Sequence, residues 1–171
     1  MAKAVCNASP IIGLSIIGKI DLLWKVFDEV FIPEEVYNEV VSNNKYKNYG
    51  EHEIKEALNN GNIKLYKVQN TAFVEQMYGR LHKGELEVMV AAKELKINRV
   101  IIDDRPARNF SETMLLKSIG LIGILIVAKK LGLISEVKKY LDVLIQEEYR
   151  ISKKLYLEGL KSAGEEKLFD K

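Results

Sequence analysis

The chain has 171 residues and a formal net charge of +2, so one well-buried core is expected and no bulk electrostatic pull toward nucleic acid exists. Hydrophobic residues make up 47% and charged residues 29%, the balance of a globular chain and not of a disordered one. The single cysteine, Cys6, excludes an internal disulfide and a cysteine-cluster zinc site, and it fits a reducing compartment.

Lys3 to Cys6 reads as a short buried strand, ended by Asn7-Ala-Ser9-Pro10. Ser9 before Pro10 is a helix start, with the hydroxyl as N-cap and the proline in the first turn, where its missing N–H costs nothing. The helix carries Ile11, Ile12, Leu14, Ile16 and Ile17 toward Gly18, and Leu22 to Phe27 adds a second helical piece. Val30 to Ile32 is a strand, and Pro33 opens a helix through Val41 with Val36 and Val40 on one face. Ser42 to Tyr49 is expected to be a mobile loop, Glu51 to Leu58 a helix, and Ile63 to Val68 an extended segment. A helix over Thr71 to Tyr78 precedes the strongest one, Gly84 to Lys96, with Val88, Ala91, Ala92 and Leu95 as its inner stripe. Arg99 to Ile102 is a buried strand, broken by Asp103-Asp104.

From Gly123 the chain reads as helical, over Gly123 to Leu131, Ser135 to Gln146 and Ser152 to Leu160, with Ser135 and Ser152 as N-caps. The tail from Gly164 to Lys171 is charged and expected to fray. The apolar segment Ile119 to Ile134 contains Gly120, Gly123, Lys129, Lys130 and Gly132, too short and too charged to span a bilayer. With no signal peptide visible, the reading is a cytoplasmic protein with no membrane association. Alternating strands and helices argue an α/β fold with a central parallel sheet and helices on both faces. Residues 1–134 are assigned to that domain and 135–171 to a helical extension packed on it.

Ligands of open parallel sheets bind beyond the carboxyl ends of the strands, where Asn7 and the pair Asp103-Asp104 fall. Asp104 can equally be the cap of a helix begun by Arg105 and Pro106. Glu85 lies in the first turn of the strongest helix, on the stripe of Val88, Ala92 and Leu95, whereas Glu87 points elsewhere as a solvated charge. Glu39 stands beside Val36 and Val40, one turn from Glu35. Asn7, Glu39, Glu85 and Asp103 would give one amide and three carboxylates from four elements, a hard-oxygen set suited to Mg²⁺ or Mn²⁺. His52 and His82 sit in polar stretches and read as surface residues. Neither a glycine-rich phosphate loop nor a nucleophile elbow is present. Arg80, Lys83, Arg105 and Arg108 are candidate contacts to RNA phosphates.

Asn7-Ala-Ser-Pro10, Pro33-Glu-Glu-Val-Tyr-Asn-Glu39, Leu81-His-Lys-Gly-Glu85-Leu-Glu and Ile102-Asp-Asp-Arg-Pro-Ala-Arg108 resemble the PIN-domain superfamily. More narrowly they resemble a prokaryotic branch related to toxin ribonucleases, as do Gly120 to Ile134 and Tyr149-Arg-Ile-Ser152 with Leu155-Tyr156. The resemblance implies a three-layer α/β/α fold and a Mg²⁺- or Mn²⁺-dependent endoribonuclease. It also implies the toxin role in a toxin–antitoxin pair, with RNA and a small antitoxin-like protein as partners. It matches Asn7 to the family's first-strand aspartate, Ser9 to an orienting hydroxyl, and Glu39 and Glu85 to its acids. Its strand-end aspartate is matched by Asp103, with Asp104 as rival. The departure is Asn7, whose amide oxygen can ligate a cation but brings no charge. The alternative is a weakly active or inactive PIN fold that binds nucleic acid or protein. A phosphatase is excluded because Asn7 cannot act as an aspartyl nucleophile. The apolar run Leu121 to Ile134, with Val137, Leu141 and Leu144, further suggests a homodimer.

Overall fold

The computed structural model describes residues 2–166 except 43 and 47. Five strands, β1 (Lys3–Cys6), β2 (Glu29–Pro33), β3 (Lys64–Tyr66), β4 (Arg99–Ile101) and β5 (Lys117–Ile119), form one sheet in the order β3-β2-β1-β4-β5. Every pairing is parallel, as between Val5 and Phe31 on one side of β1 and Val5 and Val100 on the other. The central strands supply Ala4, Val5, Cys6, Val30, Ile32, Val100, Ile101 and Ile102 to the core. Such continuous apolar runs suit a sheet covered on both faces. The architecture is the three-layer α/β/α sandwich expected.

Ten helices connect and cover the strands among the described residues: α1 (Ala8–Ile16), α2 (Leu22–Val26), α3 (Glu34–Ser42), α4 (Glu51–Asn59), α5 (Thr71–Met77), α6 (Lys83–Glu94), α7 (Arg105–Thr113), α8 (Leu121–Lys130), α9 (Lys138–Gln146) and α10 (Lys153–Ser162). Helix α6 lies across β1, β2 and β4 and is buried continuously from Gly84 to Ala92, which its small residues Gly84, Ala91 and Ala92 allow. Helices α3 and α5 pack beside it. This places the first turn of α6, the end of β1 and the start of α3 together at the carboxyl end of the sheet.

Several local expectations are corrected. Helix α1 starts at Ala8, with Asn7 and not Ser9 in the N-cap position. Pro33 ends β2, paired with Tyr66, and α3 begins one residue later. Strand β5 was not expected, because Lys117-Ser-Ile119 is a three-residue edge strand with too little apolar alternation to stand out. Ser135 does not cap α9, which starts at Lys138. Its free N–H groups are met instead by Glu165, whose carboxylate accepts from Val137 and Lys138 at 2.7 and 2.9 Å. The beginning of the tail therefore does not fray: Glu165 is 5% exposed and paired with Lys129 at 2.7 Å, while 167–171 lie outside the described residues. The segment expected to be mobile is tied, where described, by Asn44 Nδ2 donating to the Tyr49 carbonyl and Tyr46 Oη donating to that of Glu148.

Much of the apolar run behind the homodimer expectation is internal, although Leu131 and Leu133 are exposed. Leu121, Ile124, Leu125, Ala128, Val137, Leu141 and Leu144 are buried, with α8 covered by α10, α2 and α1. No helix among the described residues is long and apolar enough to cross a membrane.

Candidate functional site

Asn7 closes β1. Its backbone N–H donates to the Ile101 carbonyl at 2.9 Å, which continues the β1–β4 pairing. Its side chain makes no capping bond to α1, and its Oδ1 is buried with no hydrogen-bond partner among the described residues. Leaving such an oxygen unpaired costs about 1–3 kcal/mol. A mere turn residue would gain nothing from that position.

Glu39, on α3, lies close by. A Cβ placed on Gly84 would meet Glu39 Oε2 at 2.8 Å and Asn7 Oδ1 at 3.6 Å. Glycine in the first turn of α6 therefore lets the Glu39 carboxylate and the Asn7 amide oxygen approach the helix backbone closely. Burial pushes the Glu39 carboxyl above its ordinary range; Glu35 adds to the rise and His82 opposes it.

Glu85 follows Gly84 and is 6% exposed. Its Oε2 accepts from the His82 backbone N–H at 3.1 Å, a capping bond that fixes the carboxylate over the start of α6. Burial is the chief cause of its raised pKa, the His82 contacts oppose it, and the charges of Asp104 and Glu39 reinforce it. Asp104 is exposed and caps α7, its Oδ2 accepting from the Ala107 N–H at 3.0 Å. Glu85 and Asp104 line one cleft of about 440 Å³ together with Arg80, His82 and Tyr78.

Asp103 is committed elsewhere. Its Oδ1 accepts from the Leu121 N–H at 2.7 Å at the start of α8, and its Oδ2 from the Tyr149 hydroxyl at 2.8 Å. Burial raises its pKa even so, against the opposing effects of those two donors and of Arg108. Gly120 permits this approach, since a Cβ there would lie 2.8 Å from Asp103 Oδ1. Asp103 lines a second, larger cleft of about 790 Å³ with Ser9, Arg105, Arg108, Tyr149 and Arg150. Asp104 borders both clefts.

The structure thus brings Asn7 and Glu39 together, couples Glu85 to Glu39 and Asp104, and gives Asp103 to a separate hydrogen-bonded network. Among the described residues no three His, Cys, Asp or Glu side chains are gathered into a group that could hold a metal ion. The amide of Asn7 is accordingly needed to complete any donor set. An orphaned carbonyl oxygen near carboxylates destabilised by burial is a donor chemistry that fits a hard divalent cation.

Other residues differ from expectation. Lys83 is drawn to Glu35 at 3.4 Å and does not line either cleft. Glu87 is not a solvated charge: it is 9% exposed and accepts from the Glu35 N–H at the start of α3. Ser9 is exposed, and its carbonyl receives the Tyr149 hydroxyl at 2.9 Å. His82 is exposed as expected, yet it lines the acidic cleft. Gly84, Gly120, Tyr149 and Arg150 entered the sequence reading only as helix bounds or parts of motifs, with no role at the site. Only Gly84 left a local sign, a helix-breaking residue inside the first turn of the strongest helix.

A sequence-family model described as a PIN domain matches residues 3–165 of the chain. No curated protein and no solved structure matches it.

Proposed function

Since this chain belongs to the PIN-domain family, a nuclease-type fold, we propose that it is a divalent-metal-dependent ribonuclease. In this reading Asn7, Glu39, Glu85 and Asp104 hold Mg²⁺ or Mn²⁺, and the cation would draw together carboxylates that are not gathered into one group without it. The observation behind it is the buried, unpartnered Oδ1 of Asn7, which lies with the Glu39 carboxylate close against Gly84. When bound, the cation would lower the pKa of a water and neutralise charge growing on the phosphodiester.

The chain's own residues do the rest. Glu39 and Glu85, made uncomfortable as anions by burial and by neighbouring carboxylates, are pre-set to favour a cation over water. Asp104 is aimed by its capping bond, and Asp103 acts as a positioning residue that ties β4 to α8 and to Tyr149. Arginine supplies the phosphate contacts. Four of the five arginines in the sequence, Arg80, Arg105, Arg108 and Arg150, line the two clefts, and none forms an ion pair among the described residues. Guanidinium forks without an ion pair beside acidic residues suit a phosphate backbone, although Arg108 already donates through Nε to Ser118 Oγ at 3.3 Å. The lysines that form ion pairs, by contrast, are bound to acids of the scaffold.

The second reading is a PIN fold that binds RNA without cutting it. It is favoured by the neutral side chain at position 7 and by the carboxylates not being gathered into one group. Labelled single-stranded and structured RNAs, incubated with Mg²⁺, Mn²⁺ or chelator, separate the two. Cleavage that requires metal and disappears in Glu85→Gln and Asp104→Asn supports the ribonuclease. Cleavage unchanged in chelator contradicts it, and binding without cleavage favours the second reading.

A further inference from the structure

Among the described residues Tyr78 is the second most exposed of the large apolar or aromatic side chains, at 67%. It is not on a loose loop. The chain leaves α5 at Met77 and turns tightly, with the Arg80 N–H donating to the Met77 carbonyl at 3.2 Å and a bridge between Tyr78 and Leu81. Gly79 at the tip has φ +100, a left-handed conformation that an L side chain would strain. The turn runs directly into His82 and the first turn of α6, so Tyr78 and Arg80 are fixed relative to Glu85.

These residues line the same cleft as Glu85 and Asp104. One wall presents an aromatic face and a guanidinium with no ion pair among the described residues; another presents the two carboxylates. An exposed tyrosine ring beside an arginine without an ion pair and two carboxylates, all lining one cleft, is a set of groups that a ligand with a flat face and a phosphate can use together. An ordinary acidic peptide would use Arg80 but would be repelled by Glu85 and Asp104. A nucleotide whose phosphate meets Arg80 and the cation, and whose base lies on the ring, uses every group present.

We propose that the Tyr78–Arg80 turn is a subsite for one unpaired nucleotide next to the acidic centre, with Tyr78 stacking on the base and Arg80 holding the phosphate. This rests on the ribonuclease reading in that it takes the acidic centre as the reacting end of the cleft. A base inside a duplex has both faces covered by its neighbours, so the subsite selects single-stranded segments.

The test uses full-length protein and short single-stranded 2′-O-methyl RNA, which resists cleavage, with one abasic position moved along the strand. Affinity is read by fluorescence anisotropy in Mn²⁺. One abasic position should weaken binding to the natural protein roughly 5- to 150-fold. The same position should cost nothing in Tyr78→Ala and its full amount in Tyr78→Phe, which keeps the ring. Arg80→Ala should weaken binding and flatten its salt dependence. Equal abasic costs in the natural protein and Tyr78→Ala, or no binding of the strand by the natural protein, overturn the subsite. Cleavage of unmodified RNA, measured in parallel, separates the two claims. Metal-dependent cleavage that ignores Tyr78→Ala overturns the subsite alone. Tyr78-dependent binding without any cleavage overturns the ribonuclease reading alone.

Discussion

Glu165, near the end of the described chain, and Glu39, at the carboxyl end of the sheet, are both carboxylates withdrawn from water, yet their surroundings differ in kind. Glu165 receives the Lys129 ammonium and the backbone N–H groups of Val137 and Lys138. Burial alone would raise its pKa, but these donors outweigh it and hold the carboxyl below its usual range. Glu39 accepts no hydrogen bond among the described residues, lies with the unpaired Asn7 amide oxygen close to Gly84, and is pushed upward by burial. The first carboxylate is satisfied by the fold and serves the fold. The second is not satisfied by the fold, a condition enriched at binding sites, and the proposed cation would satisfy it.

The largest effect should come from the satisfied side. Glu165→Ala strands Lys129 and two N–H groups of the α9 start, and should destabilise the protein by about 3 kcal/mol, measured by urea denaturation. Glu165 also predicts a pH dependence. Its folded pKa is lowered, so its contribution is present above the ordinary glutamate range and is lost as pH falls through and below that range. The loss should vanish in Glu165→Ala. A variant as stable as the natural protein would remove one half of the comparison.

On the unsatisfied side, Asn7→Asp places a charge where a neutral oxygen now stands. Mn²⁺ affinity should rise about tenfold, or about 1.4 kcal/mol, once desolvation has taken most of the Coulomb gain. The metal-free form should lose a little stability through crowding against Glu39 and recover it on adding Mn²⁺. Unchanged affinity would mean that Oδ1 faces no cation.

Tyr149→Phe probes the network between the two regions. Removing the hydroxyl leaves Asp103 Oδ2 and the Ser9 carbonyl with one donor fewer, at a cost of about 1 kcal/mol in thermal or urea denaturation. Metal affinity should not move. The smallest effect is expected for Glu39→Gln without metal, a change of less than about 1 kcal/mol and upward, because it removes a buried charge that lacks a counterion. Clear destabilisation would show that Glu39 is structural like Glu165.

The parts of this comparison differ in how readable they were. The parallel sheet and the place of Asn7, Glu39 and Glu85 at its carboxyl end follow from local patterns: apolar runs, punctuation and helical spacing. Asp104 as a helix cap was visible in the following Arg105-Pro106. What escaped is long-range. Nothing near Asp103 announces that Tyr149, 46 residues on, donates to it. Nothing near Ser135 announces that Glu165 will cap the helix the serine was expected to begin. Short edge strands such as β5 take their stability from a neighbour and leave almost no periodic trace. Gly84 and Gly120 are intermediate cases, where a glycine is legible but the carboxylate it makes room for is not.

The two adjacent aspartates offer the most direct test. Mn²⁺ binding is measured by calorimetry on the natural protein, Asp103→Asn and Asp104→Asn, each first shown to be folded. Asparagine caps a helix as well as aspartate, so Asp104→Asn should keep the stability of α7 while losing tenfold or more in affinity. Asp103→Asn should cost stability and leave affinity within about twofold, since its oxygens belong to Leu121 and Tyr149. The reverse pattern, or the absence of Mn²⁺ binding by the natural protein at millimolar metal, would contradict a cation site built from Asn7, Glu39, Glu85 and Asp104.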